Sequence, residues 1–264
     1  SPDSSSPDSL SPLEQAAQTA GIDYGFLVQL TDATFRSRYP AAADRTLSDR
    51  PEDAEGRRIW GEIADAWLTQ LPQILSDSSR QQLGRYRQAD QEQWQQTIYP
   101  LYVGNRSLEF LTDAQFFHQF PEQRDQEFWQ QPIGQVWYAM AADQVQALVA
   151  GETLEEIQFA QGTFSDQVEH TLEPGSGRVY IANLSAEQIL RLNLQVPPNS
   201  SRLSLYLPRP TAAQPFLLDQ SDQTTWVGTL PQSGYYEIVV INQSEQPIRY
   251  QLNLAVDNVI SEPD

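Results

Sequence analysis

The sequence predicts an α+β chain of two domains: an all-α domain with a duplicated helical unit, followed by an all-β sandwich or jelly roll. Three observations carry this. Leu30-Thr31-Asp32-Ala33-Thr34-Phe35-Arg36-Ser37-Arg38-Tyr39-Pro40 recurs as Leu111-Thr112-Asp113-Ala114-Gln115-Phe116-Phe117-His118-Gln119-Phe120-Pro121. Apolar residues keep helical spacing up to about Ala150–Leu154. Beyond that point they alternate with period two, interrupted by Pro, Gly and Asn turn signals. The expected layout is a linker over 1–10, a helical domain over 11–153 with repeats at about 22–98 and 104–151, a sandwich over 154–258 and a tail over 259–264.

Taken in order, Ser11 and Glu14 form an S-x-x-E capping box, Pro12 opens the first turn and Gly21 supplies a left-handed stop, predicting a helix at Pro12–Ala20. In each repeat Thr31 or Thr112 is expected to cap a short helix, and Pro40 or Pro121 to end it. Phe35 and Tyr39, like Phe116 and Phe120, then share one face. Trp60 aligns with Trp137, Ala64 with Ala141 and Leu68 with Val145. Pro132 opens a helix whose stripe is Ile133, Val136, Trp137, Met140, Ala141, Val145, Leu148 and Val149, closed by Gly151. Its counterpart uses Ile59, Ile63, Trp67 and Leu71. Burial at ~1.5–3 kcal/mol per large apolar side chain makes each stripe worth on the order of 10 kcal/mol before ordering entropy. Packing the two copies on each other is the expected solution. Between them, Ser78 to Tyr99 reads as one Gln-rich helix with an exposed side.

The strands expected are Val179–Ile181, Ile189–Val196, Leu203–Leu207, Thr225–Val227, Tyr235–Ile241 and Ile248–Val256, part of a set of about eight. Leu192/Leu194/Val196 and Leu203/Leu205/Leu207 alternate with polar neighbours, as half-buried antiparallel strands do. Turn signals stand at Pro174-Gly175-Ser176-Gly177, Pro197-Pro198-Asn199-Ser200, Pro231-Gln232-Ser233-Gly234 and Asn242-Gln243-Ser244.

Composition narrows the function. The net charge is −19, and all sixteen basic residues are Arg. Residues 1–154 carry 22 acidic and 11 Arg side chains, and residues 155–264 carry 13 and 5, so neither half offers the basic footprint that nucleic acid or anionic lipid needs. There is no Cys, which removes disulfides, thiol nucleophiles and thiolate zinc sites. No apolar run approaches the roughly 20 residues that span a bilayer. The opening Ser1-Pro2-Asp3-Ser4-Ser5-Ser6-Pro7-Asp8-Ser9 reads as a flexible linker of something larger, although a mature secreted chain would look similar.

Catalytic equipment is thin. His118 and His170 are the only histidines, too few for a zinc site by themselves. Ser176 lacks the G-x-S-x-G elbow and reads as a turn residue, and Gly175-Ser176-Gly177 has no following helix or Lys to hold phosphate. Glu155-Glu156 and Glu52-Asp53 read as surface carboxylates rather than a glycosidase pair. His118 is expected on a helix surface or in packing; Tyr206 and Trp226 are expected in the core, with an aromatic binding platform as the other reading. No catalytic residue, no metal ligand and no cofactor is therefore expected, and the sequence does not specify a binding residue. A groove between the domains or between the repeats is the default ligand site.

Residues of about 155–258 resemble the pre-peptidase C-terminal (PPC-like) β-sandwich family. The resemblance rests on Val179-Tyr180-Ile181 with the Leu190–Val196 strand, on Ser233-Gly234-Tyr235-Tyr236-Glu237-Ile238-Val239-Val240, and on Tyr250-Gln251-Leu252-Asn253-Leu254. It implies a non-catalytic accessory module of secreted or surface proteins that binds a polymer or a protein. Tyr206-Leu207-Pro208-Arg209 stands where that family often has an acidic turn, so no calcium site is carried over. The whole chain, with Gly25-Phe26-Leu27, the Leu-Thr-Asp-Ala repeats and Gln135-Val136-Trp137, is also similar to C-terminal regions of cyanobacterial membrane-anchored serine/threonine kinases. That resemblance implies an extracytoplasmic sensor or partner-binding region, non-enzymatic, with a membrane tether upstream of residue 1. Its partner would be an unidentified protein, polymer or small molecule, and not nucleic acid. A secreted accessory or inhibitor module that binds a polysaccharide or an enzyme is the alternative; a hydrolase with an atypical site is a third class.

Overall fold

The computed structural model describes residues 10–42 and 46–257. Apart from Leu10, the expected linker and tail lie outside the described residues, as does Asn258, the last expected sandwich residue. Helices give way to strands at Leu154, where the sequence places the change. The compact units cut the chain elsewhere. One takes residues up to Arg87 with Asp125–Asp143, and the other takes Gln88–Arg124 with everything from Gln144.

The first unit holds α1 (Pro12–Ala20), α2 (Tyr24–Arg38), α3 (Ala54–Ile74), α4 (Asp77–Gln81) and α7 (Pro132–Val149) as far as Asp143. α1 is built as its sequence dictates. Ser11 Oγ accepts the Glu14 N–H, the Glu14 carboxylate accepts the Ser11 N–H at 2.7 Å, and Gly21 closes the helix at φ +68°. α2 starts earlier than its motif, because Asp23 accepts the Phe26 N–H at 2.9 Å and lets the apolar stretch before Leu30 become helical. Thr31 is therefore no cap. It sits inside the helix and donates to the Leu27 carbonyl at 2.7 Å, and Thr112 donates to Leu108 at the same distance.

α2 packs along α3. Trp67 Nε1 donates to Thr34 Oγ1 at 3.1 Å and Trp60 Nε1 to Asp32 at 2.7 Å, over a core that includes Phe26, Leu27, Leu30, Ile63, Ala64 and Leu71. Asp143 accepts from Ser76 N–H, Ser76 Oγ and Ser79 Oγ, fixing the start of α4. The single helix expected over 78–99 is broken. α4 stops at Gln81, Gly84 turns at φ +85° and α5 (Gln88–Ile98) starts afresh. A Cβ at Gly84 would stand 3.2 Å from the Phe26 side chain, so close approach and a left-handed turn coincide there.

The second unit holds α5, a 3-10 turn at Tyr99–Leu101, α6 (Asn105–Gln119), the end of α7 and all nine described strands. These are β1 (Leu154–Glu156), β2 (Ser165–Leu172), β3 (Gly177–Leu184), β4 (Ile189–Gln195), β5 (Ser201–Tyr206), β6 (Leu218–Ser221), β7 (Thr225–Thr229), β8 (Gly234–Asn242) and β9 (Ile248–Asp257). They form a sandwich of a five-stranded sheet, β1-β3-β8-β5-β6, and a four-stranded sheet, β2-β9-β4-β7. Pairing is antiparallel except between β1 and β3. Between the sheets lie Tyr180, Leu192, Leu194, Leu203, Leu205, Tyr236, Ile238, Tyr250, Leu252 and Leu254.

α6 repeats α2 in backbone. Both have 15 residues, both end on an aromatic residue near φ −130°, ψ 65° (Tyr39 and Phe120), and both run into a Pro-led 3-10 turn. Their surroundings differ. α6 lays Leu108, Phe110 and Leu111 on the outer face of the five-stranded sheet, against Val179, Ile181, Val239 and Ile241, beside Val145 and Leu148 of α7. This is a packing of helix on sheet. β3 and β8 are apolar on both faces, and the outer one needs a cover.

Gly177 marks how close that cover sits. A Cβ there would overlap the Ile241 side chain and stand 2.8 Å from Leu111 Cδ2 and 3.0 Å from the Val240 carbonyl. Gly177→Ala is expected to cost about 1–3 kcal/mol in denaturant unfolding. Gly61→Ala, within α3 and with nothing inside 4 Å, is expected to be neutral or to stabilise by up to about 1 kcal/mol.

Candidate functional site

A groove of about 310 Å³ runs beside the second half of α6, walled by the β2–β3 turn, the β8–β9 turn and residues of β5 and β6. Phe110, Phe117 and Ile241 give it an apolar floor, Asp113, Arg124, Arg202 and Glu245 give it a charged rim, and His118 adds an imidazole. The two turns are stitched together: Gly175 N–H donates to the Asn242 carbonyl at 3.1 Å and Asn242 N–H to the Ser176 carbonyl at 2.9 Å. The buried Asn242 amide also donates to the Leu172 and Gln246 carbonyls. Gly175 has φ +73°, and a Cβ there would lie 2.6 Å from the His118 Cβ. Only glycine supplies both the turn and the room.

The basic side chains of the rim are held by an aromatic ring, an amide and carboxylates at 3.7–4.0 Å. The Arg124 guanidinium lies 5.0 Å from the centre of the Phe117 ring. Arg202 Nε donates to Gln243 Oε1 at 2.8 Å, with Asp222 4.0 Å away. His118 Nδ1 stands 3.7 Å from Glu245. Guanidinium forks and carboxylates around an aromatic floor suit a small ligand with charged ends and an apolar body. Among the described residues that line the groove there is no Ser or Thr.

The other residues singled out in the sequence are dispersed. His170 is on β2, its Nε2 3.1 Å from Glu155, which also takes Arg178 at 3.1 Å. Ser176 Oγ donates to the Glu173 carbonyl at 2.7 Å, the turn role expected of it. Glu156 accepts from the Tyr235 hydroxyl at 3.4 Å. Tyr206 is buried and donates to Asp219 at 2.7 Å, with the Ser204 hydroxyl 3.1 Å from its oxygen, and Trp226 packs half-buried on the sandwich core. Burial pushes the Tyr206 phenol well up. Glu52 is exposed, but Asp53 is not the surface carboxylate expected: it is buried and accepts the Ser48 N–H at 2.9 Å and the Ser48 hydroxyl at 2.5 Å.

Glu237 escaped the sequence reading. It lies in β8, is 6% exposed, and accepts the Gly104 N–H at 2.6 Å and the Ser107 hydroxyl at 2.7 Å. Gly104 is the N-cap of α6 and has no side chain to cap with, so a strand carboxylate does it instead. Burial raises the Glu237 carboxyl to about 7, against the two hydrogen bonds that hold it down. A lone Glu inside the run from Tyr235 to Ile241 was the available signal.

No family model matches the chain. Among curated proteins, it is 29% identical over 194 residues to a serine/threonine-protein kinase-like protein of Synechocystis sp.. The match covers 72% of this chain, and the chain spans 31% of the length of that relative. Among solved structures, similarity extends to the periplasmic g-type lysozyme inhibitor PliG of Aeromonas hydrophila, with 20% identity and a TM-score of 0.35 over 40% of this chain and 96% of that one. It extends also to the pre-peptidase C-terminal domain of a Bacillus anthracis collagenase, with 14% identity and a TM-score of 0.29 over 39% and 94%.

Glu237 ties the α6 seat to pH. Its carboxyl holds a proton in the folded state at pH values where the unfolded chain, with its ordinary value of 4.5, has lost it. This contribution is therefore full below about 4.5 and is lost as pH rises through about 7, on the order of 3 kcal/mol. Glu237→Gln, which keeps an acceptor for Gly104, is expected to remove that part of the slope when unfolding free energy is compared between pH 5 and 8.

Proposed function

We propose that this chain is the non-catalytic recognition region of a membrane-anchored signalling protein such as a serine/threonine kinase. It sits outside the cytoplasm and takes its ligand in the groove beside α6. The observation that carries the reading is the sequence shared with the kinase-like protein, which covers most of this chain but under a third of that relative. A segment of that proportion suits an accessory role within a larger signalling chain. The composition agrees, since the chain has no Lys, the residue with which kinases hold ATP phosphates. Among the described residues no helix is long and apolar enough to cross a membrane.

Topology and phosphotransfer test this together. With an epitope inserted after Asp257 in the native reading frame, protease added to intact cells with a permeable outer envelope is expected to remove the epitope while a cytoplasmic marker survives. The purified chain is expected to transfer no label from ATP to itself or to a generic acceptor protein. Epitope cleavage that requires lysis of the inner membrane would overturn the location, and incorporated label would overturn the non-catalytic role.

A further inference from the structure

At the N-terminal end of α6, away from the groove, an aromatic surface is left open. Tyr99 is 79% exposed and Tyr102 53% exposed. Tyr102 closes the 3-10 turn at φ +60°, in the left-handed region that disfavours a bulky side chain. Gly or Asn would end the turn without that strain. Its ring instead lies parallel to that of Tyr235, with centroids 3.8 Å apart and planes 15° apart. The Tyr235 hydroxyl reaches Glu156 at 3.4 Å, so a stacked phenol pair and a carboxylate share one patch.

The charges around the patch are unevenly satisfied. Glu155, next to Glu156, is engaged by Arg178 and His170. Arg106, at the start of α6, is engaged by Asp219 at 3.7 Å and lies over Phe216. Glu156 has no cationic partner among the described residues. A rigid aromatic face beside an unpaired carboxylate attracts a cation by ring quadrupole and by charge at once. A net charge of −19 steers basic partners toward the chain and repels anionic polymers.

We propose that the surface formed by Tyr99, Tyr102, Tyr235 and Glu156 docks an arginine- or lysine-bearing segment of a basic protein. The ordered rings lose little side-chain freedom on binding, which is why tyrosine recurs where interfaces concentrate their energy. The strained backbone at Tyr102 is then explained by the ring it presents. A neutral glycan would also stack on tyrosine, but it would gain nothing from the charge of Glu156 or of the chain.

The probe is a blocked pentapeptide carrying two arginines, with a citrulline twin of the same shape and no charge. Tyrosine ring resonances of the full chain are followed by NMR at low salt. The arginine peptide is expected to shift the Tyr99, Tyr102 and Tyr235 rings with an affinity at least about tenfold above that of its twin, and to lose hold in high salt. Tyr102→Gly keeps the left-handed backbone, should melt no lower than the native chain, and should weaken binding by about tenfold. Glu156→Gln should weaken it by a smaller factor. If the glycine variant does not fold, Tyr102→Asn, which tolerates the same backbone, takes its place. Equal response to both peptides, shifts elsewhere that survive Tyr102→Gly, or a chito-oligosaccharide that moves the same rings more strongly than the arginine peptide would each overturn the proposal.

Discussion

The second unit depends on covering the outer face of its five-stranded sheet. Val179, Ile181, Val239 and Ile241 point away from the sandwich core, and Leu108, Phe110, Leu111, Val145 and Leu148 meet them there. Nine such side chains, at ~1.5–3 kcal/mol each, outweigh the several kcal/mol of burying one carboxylate at the start of α6. That inequality lets Glu237 stay inside. Buried, it fastens the first turn of the helix through Gly104 and Ser107, and its raised proton affinity is the consequence of the same burial.

A helix seated this firmly has two ends fixed relative to the sandwich, and each end carries a different surface. Toward its C-terminal half, Phe117 and His118 meet the Gly175 and Asn242 turns and a charged groove results. Before its first turn, Tyr102 is stacked on Tyr235 with part of its ring in solvent. Both surfaces combine residues before 124 with strand residues after 170. Neither is contained in the strand segment alone.

How much of this was legible varies with the range of the physics involved. The α1 capping box, the strand alternation of β4 and β9 and the turn at Gly175 follow from local chemistry, and they stand where the residues put them. The groove does not, because Phe117, Arg124 and Arg202 come together only through tertiary packing. The seat of α6 was legible in principle. β8 has no alternation from Ile238 to Ile241, and an unbroken apolar run requires a layer on each side of the sheet. The Thr31 and Thr112 caps failed for a different reason. Asp23 and the Gly104–Glu237 pair start those helices earlier, and a threonine inside a helix can bond its hydroxyl to the carbonyl four residues back.

The repeat itself shows how duplication of a backbone separates from duplication of its use. In α2, Asp32 accepts the Trp60 indole and Thr34 accepts that of Trp67, so the polar positions of the motif serve a helix–helix seam. In α6 the position of Thr34 is Gln115, which accepts from Gln144 of α7 at 3.0 Å, and Asp113 faces the groove. The aromatic positions keep their geometry, with Phe35–Tyr39 and Phe116–Phe120 centroids both 5.3 Å apart. The conserved spacing between the copies is thus carried by the helix ending, which only local sterics govern. The polar positions changed partner with the surface that each helix covers, and in the second copy that change put a carboxylate and an aromatic ring beside open space.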